Sequence, residues 1–324
     1  MENAVKARIL LFALVCALTG QAQAQSGYPS RPVRIVVPSP PGGGTDIVAR
    51  VLAQYFSNAM GQQFYVENKP GAGNMIGIES VARAAPDGYT LLFVPSTLAL
   101  NSVMYKKVSY DPVRDFAPIT LAAVAPNVLV VNPKVQAQSI AELIALAKQK
   151  PGQLTYGTPG IGTSPHMAME LFKSLADVDL QHIPYRGTAP AMTDVISGQI
   201  TAMFSNALTA KPQIESGAVR ALGVSSRKRS ESMPNVPPIA EAGVPNYEAT
   251  QWYGLVAPAG TPADIIARLN AEATQALKTQ DMKDKLASDG AEPVGTTPAE
   301  FAAHIKSELE KWTNVARVAK IEPQ

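Results

Sequence analysis

Short apolar runs alternate along the chain with helix-spaced apolar stripes, and glycine-rich turns lie between them. Val33-Arg34-Ile35-Val36-Val37 runs into Pro40-Pro41-Gly42-Gly43-Gly44-Thr45-Asp46, after which Ile47, Val48, Val51, Leu52, Tyr55 and Phe56 recur at helical spacing. The pattern predicts a strand, a loop and an amphipathic helix, with Thr45 or Asp46 capping the helix through a side-chain oxygen. Phe64-Tyr65-Val66 repeats the strand before a second loop, Pro70-Gly71-Ala72-Gly73-Asn74, and Tyr89 to Val94 makes a third strand after the turn Pro86-Asp87-Gly88. Strands alternating with helices predict a parallel sheet covered on both faces.

Beyond Asp111-Pro112 a second α/β unit begins. Asn127 to Val131 reads as a strand, Ser139 caps a helix running to about Lys148, and Leu154-Thr155-Tyr156 leads into a third loop, Gly157-Thr158-Pro159-Gly160-Ile161-Gly162-Thr163-Ser164-Pro165, with its own helix. His182 to Tyr185, a helix near Ala189 to Ser197 and the run Ile200 to Phe204 follow, and the proline-rich stretch Pro234 to Pro245 ends the unit. After Trp252-Tyr253-Gly254-Leu255-Val256 the spacing predicts two helices, one from Pro262 in a first-turn position to about Thr279, the other from Pro298 to about Val318.

The N-terminus reads as a Sec signal peptide over residues 1–24: Lys6 and Arg8, an apolar run from Ile9 to Leu18, then Ala22-Gln23-Ala24. That run is about half a transmembrane span, and the small-x-small pattern suits cleavage after Ala24. Cys16 is the chain's single cysteine and lies inside the run, so the mature protein has neither disulfide nor thiol chemistry. A lipoprotein requires Leu three places before Cys16 and a small residue just before it, where this chain has Ala13 and Val15. A free periplasmic protein is expected.

With 28 basic and 26 acidic residues in 324, and no basic run beyond Arg227-Lys228-Arg229, nothing supports nucleic-acid binding. Hydrophobic residues make up 46% of the chain, which fits one or two packed cores.

The three loops are built as anion cradles. A helix start offers unpaired N–H groups and the positive end of the helix dipole, and glycine lets a small anion approach closely. The first loop lacks the Gly-Lys-Ser/Thr of a nucleotide P-loop, and Gly71, Gly73 and Gly77 are one residue too widely spaced for a dinucleotide fingerprint. His166, His182 and His304 have no metal-ligand spacing; Ser164 and His166 are two apart, and G-x-S-x-G is absent. No metal, cofactor or nucleophile is expected, which points to capture of an anion without conversion. Asp46 is open to two readings, a helix-capping carboxylate or a receiver for a ligand ammonium group. Arg186 is equally open, as a fork for a carboxylate or a solvated cation. The first and third loops, about 120 residues apart, fall in different units, so a cleft between two units encloses the anion from both sides.

Over the whole mature chain the sequence resembles the Bug receptors, the substrate-binding proteins of tripartite tricarboxylate transporters. The motifs are Tyr28-Pro29 to Pro32-Val33-Arg34, Pro41-Gly42-Gly43-Gly44-Thr45-Asp46 with Ala49-Arg50, Glu67-Asn68-Lys69-Pro70-Gly71-Ala72-Gly73, Ala85-Pro86-Asp87-Gly88-Tyr89-Thr90, Tyr110-Asp111-Pro112 with Asp115-Phe116-Ala117-Pro118, Gly160 with Gly162-Thr163-Ser164 and His166, Pro184-Tyr185-Arg186-Gly187, and Trp252-Tyr253-Gly254 with Ala257-Pro258-Ala259-Gly260-Thr261-Pro262. The resemblance implies a two-domain, type II-like periplasmic binding protein of α/β class with ligand in the interdomain cleft. A discontinuous first domain spans residues 25–124 and 248–324, and the second spans 125–247. It further implies a small carboxylate ligand, held by backbone groups and ordered waters at the first and third loops, and integral-membrane permease subunits as partners of a monomeric receptor. The expected ligand-binding set is Pro41, Gly42, Gly43, Thr45, Asp46, Ser96, Thr97, Gly162, Thr163, Ser164, His166, Arg186, Gly187, Thr188 and Asn206. Two positions depart from the family pattern: Ser39, commonly aromatic, and Asn74, commonly glycine. A carboxylate sensor and an exported carboxylate-processing enzyme are the alternative readings.

Overall fold

The computed structural model describes residues 27–324 apart from Gly43, Arg186, Asp289, Ala319 and Gln324. The expected signal peptide with Cys16, and the expected site residues Gly43 and Arg186, lie outside the described residues. No helix among the described residues is long and apolar enough to cross a membrane.

The apolar runs form two sheets. In the first, β1 (Val33–Val37) lies between β2 (Phe64–Asn68) and β3 (Thr90–Pro95), parallel to both, with Ile35 opposite Val66 and Leu91. In the second, β6 (Thr155–Thr158) lies between β7 (Gln181–Pro184) and β8 (Ala202–Asn206), again parallel to both. Each parallel trio is extended by an antiparallel strand beside its third member: β10 (Gln251–Pro258) along β3, and β5 (Asn127–Val131) along β8. Beyond these, β4 (Phe116–Ala125) and β11 (Glu292–Pro293) complete the first sheet, and β9 (Arg220–Val224) completes the second.

The expected parallel sheets are therefore mixed. Only segments joined by βαβ crossovers run parallel. β4 leads through Pro126 into β5 of the other sheet, and β10 is the return strand, so the passage between sheets sets their direction. The chain thus leaves the first sheet at Ala125 and rejoins it at Gln251.

Helices cover both faces. α1 (Gly44–Met60) lays Val48, Leu52 and Phe56 on the face carrying Ile35, Val37, Leu91 and Phe93, whereas α2 (Met75–Ala82) puts Ile78 and Val81 against Val36, Leu92 and Val94. The second sheet repeats this arrangement. α5 (Ser164–Ala176) packs Met167, Leu171 and Phe172 with Leu129, Tyr156 and Phe204, while α6 (Thr188–Ser197) packs Met192 and Val195 with Val128, Val130 and Met203. α4 (Ile140–Gln149) begins at Ser139, whose side chain accepts from the Glu142 N–H as the sequence predicts. α7 (Ala207–Glu215) follows β8.

After β10 come three helices where two are expected. α8 (Ala263–Lys278) ends where Thr279 turns extended at φ −68°, ψ 148°, and α9 (Gln280–Ser288) starts immediately beyond it. Pro262 is the cap of α8, at ψ 139°, and not a first-turn residue. α10 covers Pro298–Val318, the bounds expected.

Two helices tie the sheets together. α3 (Thr97–Met104) buries Leu98 and Ala99 in the first sheet's core but Leu100, Val103 and Met104 in the second's. α10 likewise gives Phe301 and Ile305 to one and Trp312 and Val315 to the other.

Candidate functional site

The two parallel trios share one topology, and their central strands β1 and β6 carry the first and third glycine loops. Helices leave the carboxyl edge of each trio toward opposite faces, which opens a crevice beside the central strand. Along the first edge lie Pro41, Gly42, Thr45 and Asp46, with Ser96 and Thr97 at the end of β3; along the second lie Gly162 to His166, with Gly187 and Thr188 after β7 and Asn206 at the end of β8.

The loops also share a local device. The Gly42 N–H donates to Asp46 Oδ2 at 3.0 Å, and the Gly162 N–H donates to His166 Nδ1 at 3.2 Å. In each case the acceptor is four residues on, the third residue of the following helix, and reaches back as the acidic member of a capping box does. Both N–H groups, expected to serve a ligand, are thus held by the chain itself.

The Asp46 carboxylate, 3% exposed, also accepts from Arg50 Nε at 3.0 Å and Asn68 Nδ2 at 2.9 Å; it sits inside the helix and reaches back to the loop N–H, whereas the sequence predicts Thr45 or Asp46 accepting from first-turn N–H groups. Burial pulls its pKa up, but the bonds from Arg50, Gly42 and Asn68 outweigh this and hold it below the ordinary carboxylate value.

The third loop is tied from several directions. Thr163 Oγ1 donates to the Gly160 carbonyl at 2.7 Å, the Gly187 N–H donates to the Pro159 carbonyl at 3.0 Å, and Ser164 Oγ accepts from Asn127 Nδ2 at 3.0 Å. Gly162, at φ +76°, has Met104 of α3 beside it: a methyl group there would lie 3.3 Å from Met104 Cγ. The third loop therefore abuts the C-terminal end of the helix whose N-terminus is at Ser96 and Thr97, about two turns away. Asn74 meets that N-terminus, in a left-handed conformation that asparagine tolerates, with Nδ2 donating to Thr97 Oγ1 at 3.0 Å. Asn206 caps α7 by accepting from the Thr209 N–H. No hydrogen bond among the described residues joins the first loop to the third. The hydroxyl of Ser39 is buried without a partner there.

Three residues outside the expected set matter. Asn127, 1% exposed, donates its backbone N–H to Ser225 Oγ and its side-chain Nδ2 to Ser164 Oγ and to the Ala249 carbonyl, so it joins both passages between the sheets to the third loop. Met104 supplies the opposite contact. His182 stacks on His166 with ring centroids 4.3 Å apart. A polar residue opening an apolar run at Asn127 was the available signal; the other two carry none in sequence.

A cavity of about 610 Å³ opens between α7 and α9, lined by Lys211, Glu231, Lys283, Asp284 and Glu292 among others. None of the glycine loops lines it, and its mixed charges select no anion.

Two α/β sheets of like topology, with polar loops on the carboxyl edges of their parallel trios, have the fold of periplasmic solute-binding proteins. The family model described as tripartite tricarboxylate transporter family receptor matches residues 48–321, and the chain belongs to that family. It is 37% identical over 292 residues to protein BugT of Bordetella pertussis, covering 90% of each chain. Among solved structures, R. palustris Rpa4515 with adipate matches at TM-score 0.80 and 37% identity, covering 92% of this chain and 100% of that one. MatC of Rhodopseudomonas palustris with bound malate matches at TM-score 0.75 and 32% identity, covering 89% of this chain and 99% of that one.

Proposed function

We propose that the chain is a periplasmic receptor that captures a small carboxylate between its lobes, residues 25–124 with 248–324 and residues 125–247, and delivers it to the permease subunits of a tripartite tricarboxylate-type transporter. It does no chemistry and works as a monomer. The observation that carries this reading is the equivalence of the first and third loops, each on the central strand of a parallel trio. Family membership, and the adipate and malate bound by two relatives, support the ligand class. With the Gly42 and Gly162 N–H groups committed, a carboxylate meets the first-turn N–H groups of the two helices; those of Ser164 and His166 have no acceptor among the described residues. Ligand binds the closed arrangement more tightly and shifts the population toward it, and the permease reads that form.

A thermal-shift screen over adipate, malate, succinate, citrate, glutamate, nicotinate and phthalate tests the reading. Ligand at one hundred times its Kd adds about 2.7 kcal/mol, or roughly 4 °C in Tm for a chain of this size. A panel in which no carboxylate moves Tm overturns the receptor reading. Deleting the gene abolishes uptake of the identified ligand; intact uptake refutes the transport half alone.

A further inference from the structure

Behind the third loop lies a pair of histidines that the carboxylate reading leaves without a task. We propose that the side chains of His166 and His182 are positioning groups that hold the loop in its ligand-receiving shape without themselves touching the ligand, an inference that rests on the third loop being a carboxylate site. Thr158 Oγ1 lies 2.6 Å from His182 Nε2 and 3.3 Å from the Gly160 carbonyl, so its hydroxyl links the ring to the loop. Gly162 donates to His166 Nδ1, so that nitrogen is bare and the neutral ring carries its proton on Nε2. The rings stack at 4.3 Å and 23°, and Tyr156 of β6 stacks on the far side of His182 at 4.9 Å. Neither imidazole can turn without displacing its neighbour. Together they draw the Gly160 carbonyl and the Gly162 N–H inward, while Ile161 between them stays 44% exposed.

The choice of imidazole has an electrostatic reason. Asp46 does the same job in the first loop with a carboxylate whose charge Arg50 meets. At position 166 a neutral acceptor supports the glycine without adding negative charge beside an incoming anion. Burial, with His182 and Lys173, lowers the His166 pKa to about 3, so the acceptor persists through the neutral range. The other charged groups here, Glu170 and Lys173 of α5, pair with each other at 2.9 Å, and Glu170 also accepts from the Tyr156 hydroxyl.

Three substitutions in the full-length protein separate positioning from packing. His166→Leu keeps volume and loses the acceptor; His166→Asn keeps an acceptor at the Nδ1 position but leaves a void; His166→Asp keeps the acceptor and adds charge. Amide hydrogen exchange without ligand should show Gly162 at least tenfold faster in the Leu variant and near wild type in the Asn and Asp variants. With the carboxylate giving the largest thermal shift as probe, Kd should weaken at least tenfold in the Leu and Asp variants and less than threefold in the Asn variant. A packing role gives the opposite order for Leu and Asn, and that order, or unchanged Gly162 exchange in the Leu variant, overturns the proposal. If the Leu variant does not fold, Thr158→Val, which removes the hydroxyl hydrogen-bonded to His182, replaces it with the same expected rise in Gly162 exchange. If no carboxylate binds the wild type, the receptor reading falls, and exchange alone still decides whether the histidines hold the loop.

Discussion

Replacing Glu308 by alanine should cost about 4 kcal/mol of folding stability, a large share of what a domain usually has. Glu308 is 5% exposed on α10, and its Oε2 accepts from Trp252 Nε1 at 3.1 Å and Trp312 Nε1 at 2.9 Å, while Oε1 meets Lys311 Nζ. Those are the chain's two tryptophans. Trp252 belongs to the first sheet's core and Trp312 to the core that α3 and α10 share with the second sheet, so one carboxylate serves an indole on each side of the junction. Alanine strands both buried N–H groups at about 1–3 kcal/mol each, hence the central value. Glu308→Gln retains an amide oxygen for both indoles and gives up the charge and the partly exposed Lys311 pairing, for about 1 kcal/mol. Urea unfolding followed by tryptophan fluorescence and by circular dichroism measures both. With a denaturant slope near 3 kcal/mol/M, the alanine midpoint falls by about 1–2 M and the glutamine midpoint by about 0.3 M. Equal midpoints for the two variants would refute the claim that the shared acceptor, and not the charge, secures the junction.

The remaining predictions concern acid and packing. Burial holds His166, His182 and His304 below the ordinary histidine value, so between the folded and unfolded pKa values the unfolded chain binds more protons. Stability is full above about pH 6.5 and is lost as pH falls; His166 alone, at about 3 when folded, removes about 3 kcal/mol by pH 4. A urea midpoint that stays flat from pH 7 to 4 would count against the buried, neutral histidines. Gly254 of β10 leaves room for a ring: a methyl group there would lie 2.1 Å from Phe301 Cζ, and Phe301 is held edge-on by Trp252. Gly254→Ala should cost about 2 kcal/mol and lower Tm by about 3 °C; a loss under 1 °C would mean the ring steps aside freely.

The parallel trios are legible in the sequence because most of their strands hold an apolar run and each is followed by turn residues and a helix start; β6, Thr155-Tyr156-Gly157-Thr158, and β7, Gln181-His182-Ile183-Pro184, are marked chiefly by the turns after them. β4 is not. It carries Pro118 and several alanines, and what makes it a strand is pairing with β10, where Ala123 lies opposite Tyr253, far off in sequence. α3 is hidden for a different reason. Its apolar residues divide between two cores, so nearly the whole circumference is buried and the one-sided stripe that reveals α1 is missing.

The site shows the same division between what glycine spacing records and what it leaves open. Glycines mark where the backbone is bare, and the sequence places those positions after strands and before helices, where the structure has them. Spacing does not say which way an N–H points. That depends on the side chain four residues on, and in the two loops that side chain differs, Asp46 in one and His166 in the other, so no repeat is visible in the sequence although the topology repeats. Charge decides which of the two tolerates an anion nearby. Asp46 needs Arg50 to offset it, whereas His166 needs only to remain neutral, and its burial ensures that. On the proposed reading, the third loop is the one whose support adds no repulsion toward a carboxylate, which accounts for an imidazole at position 166 where the first loop has a carboxylate.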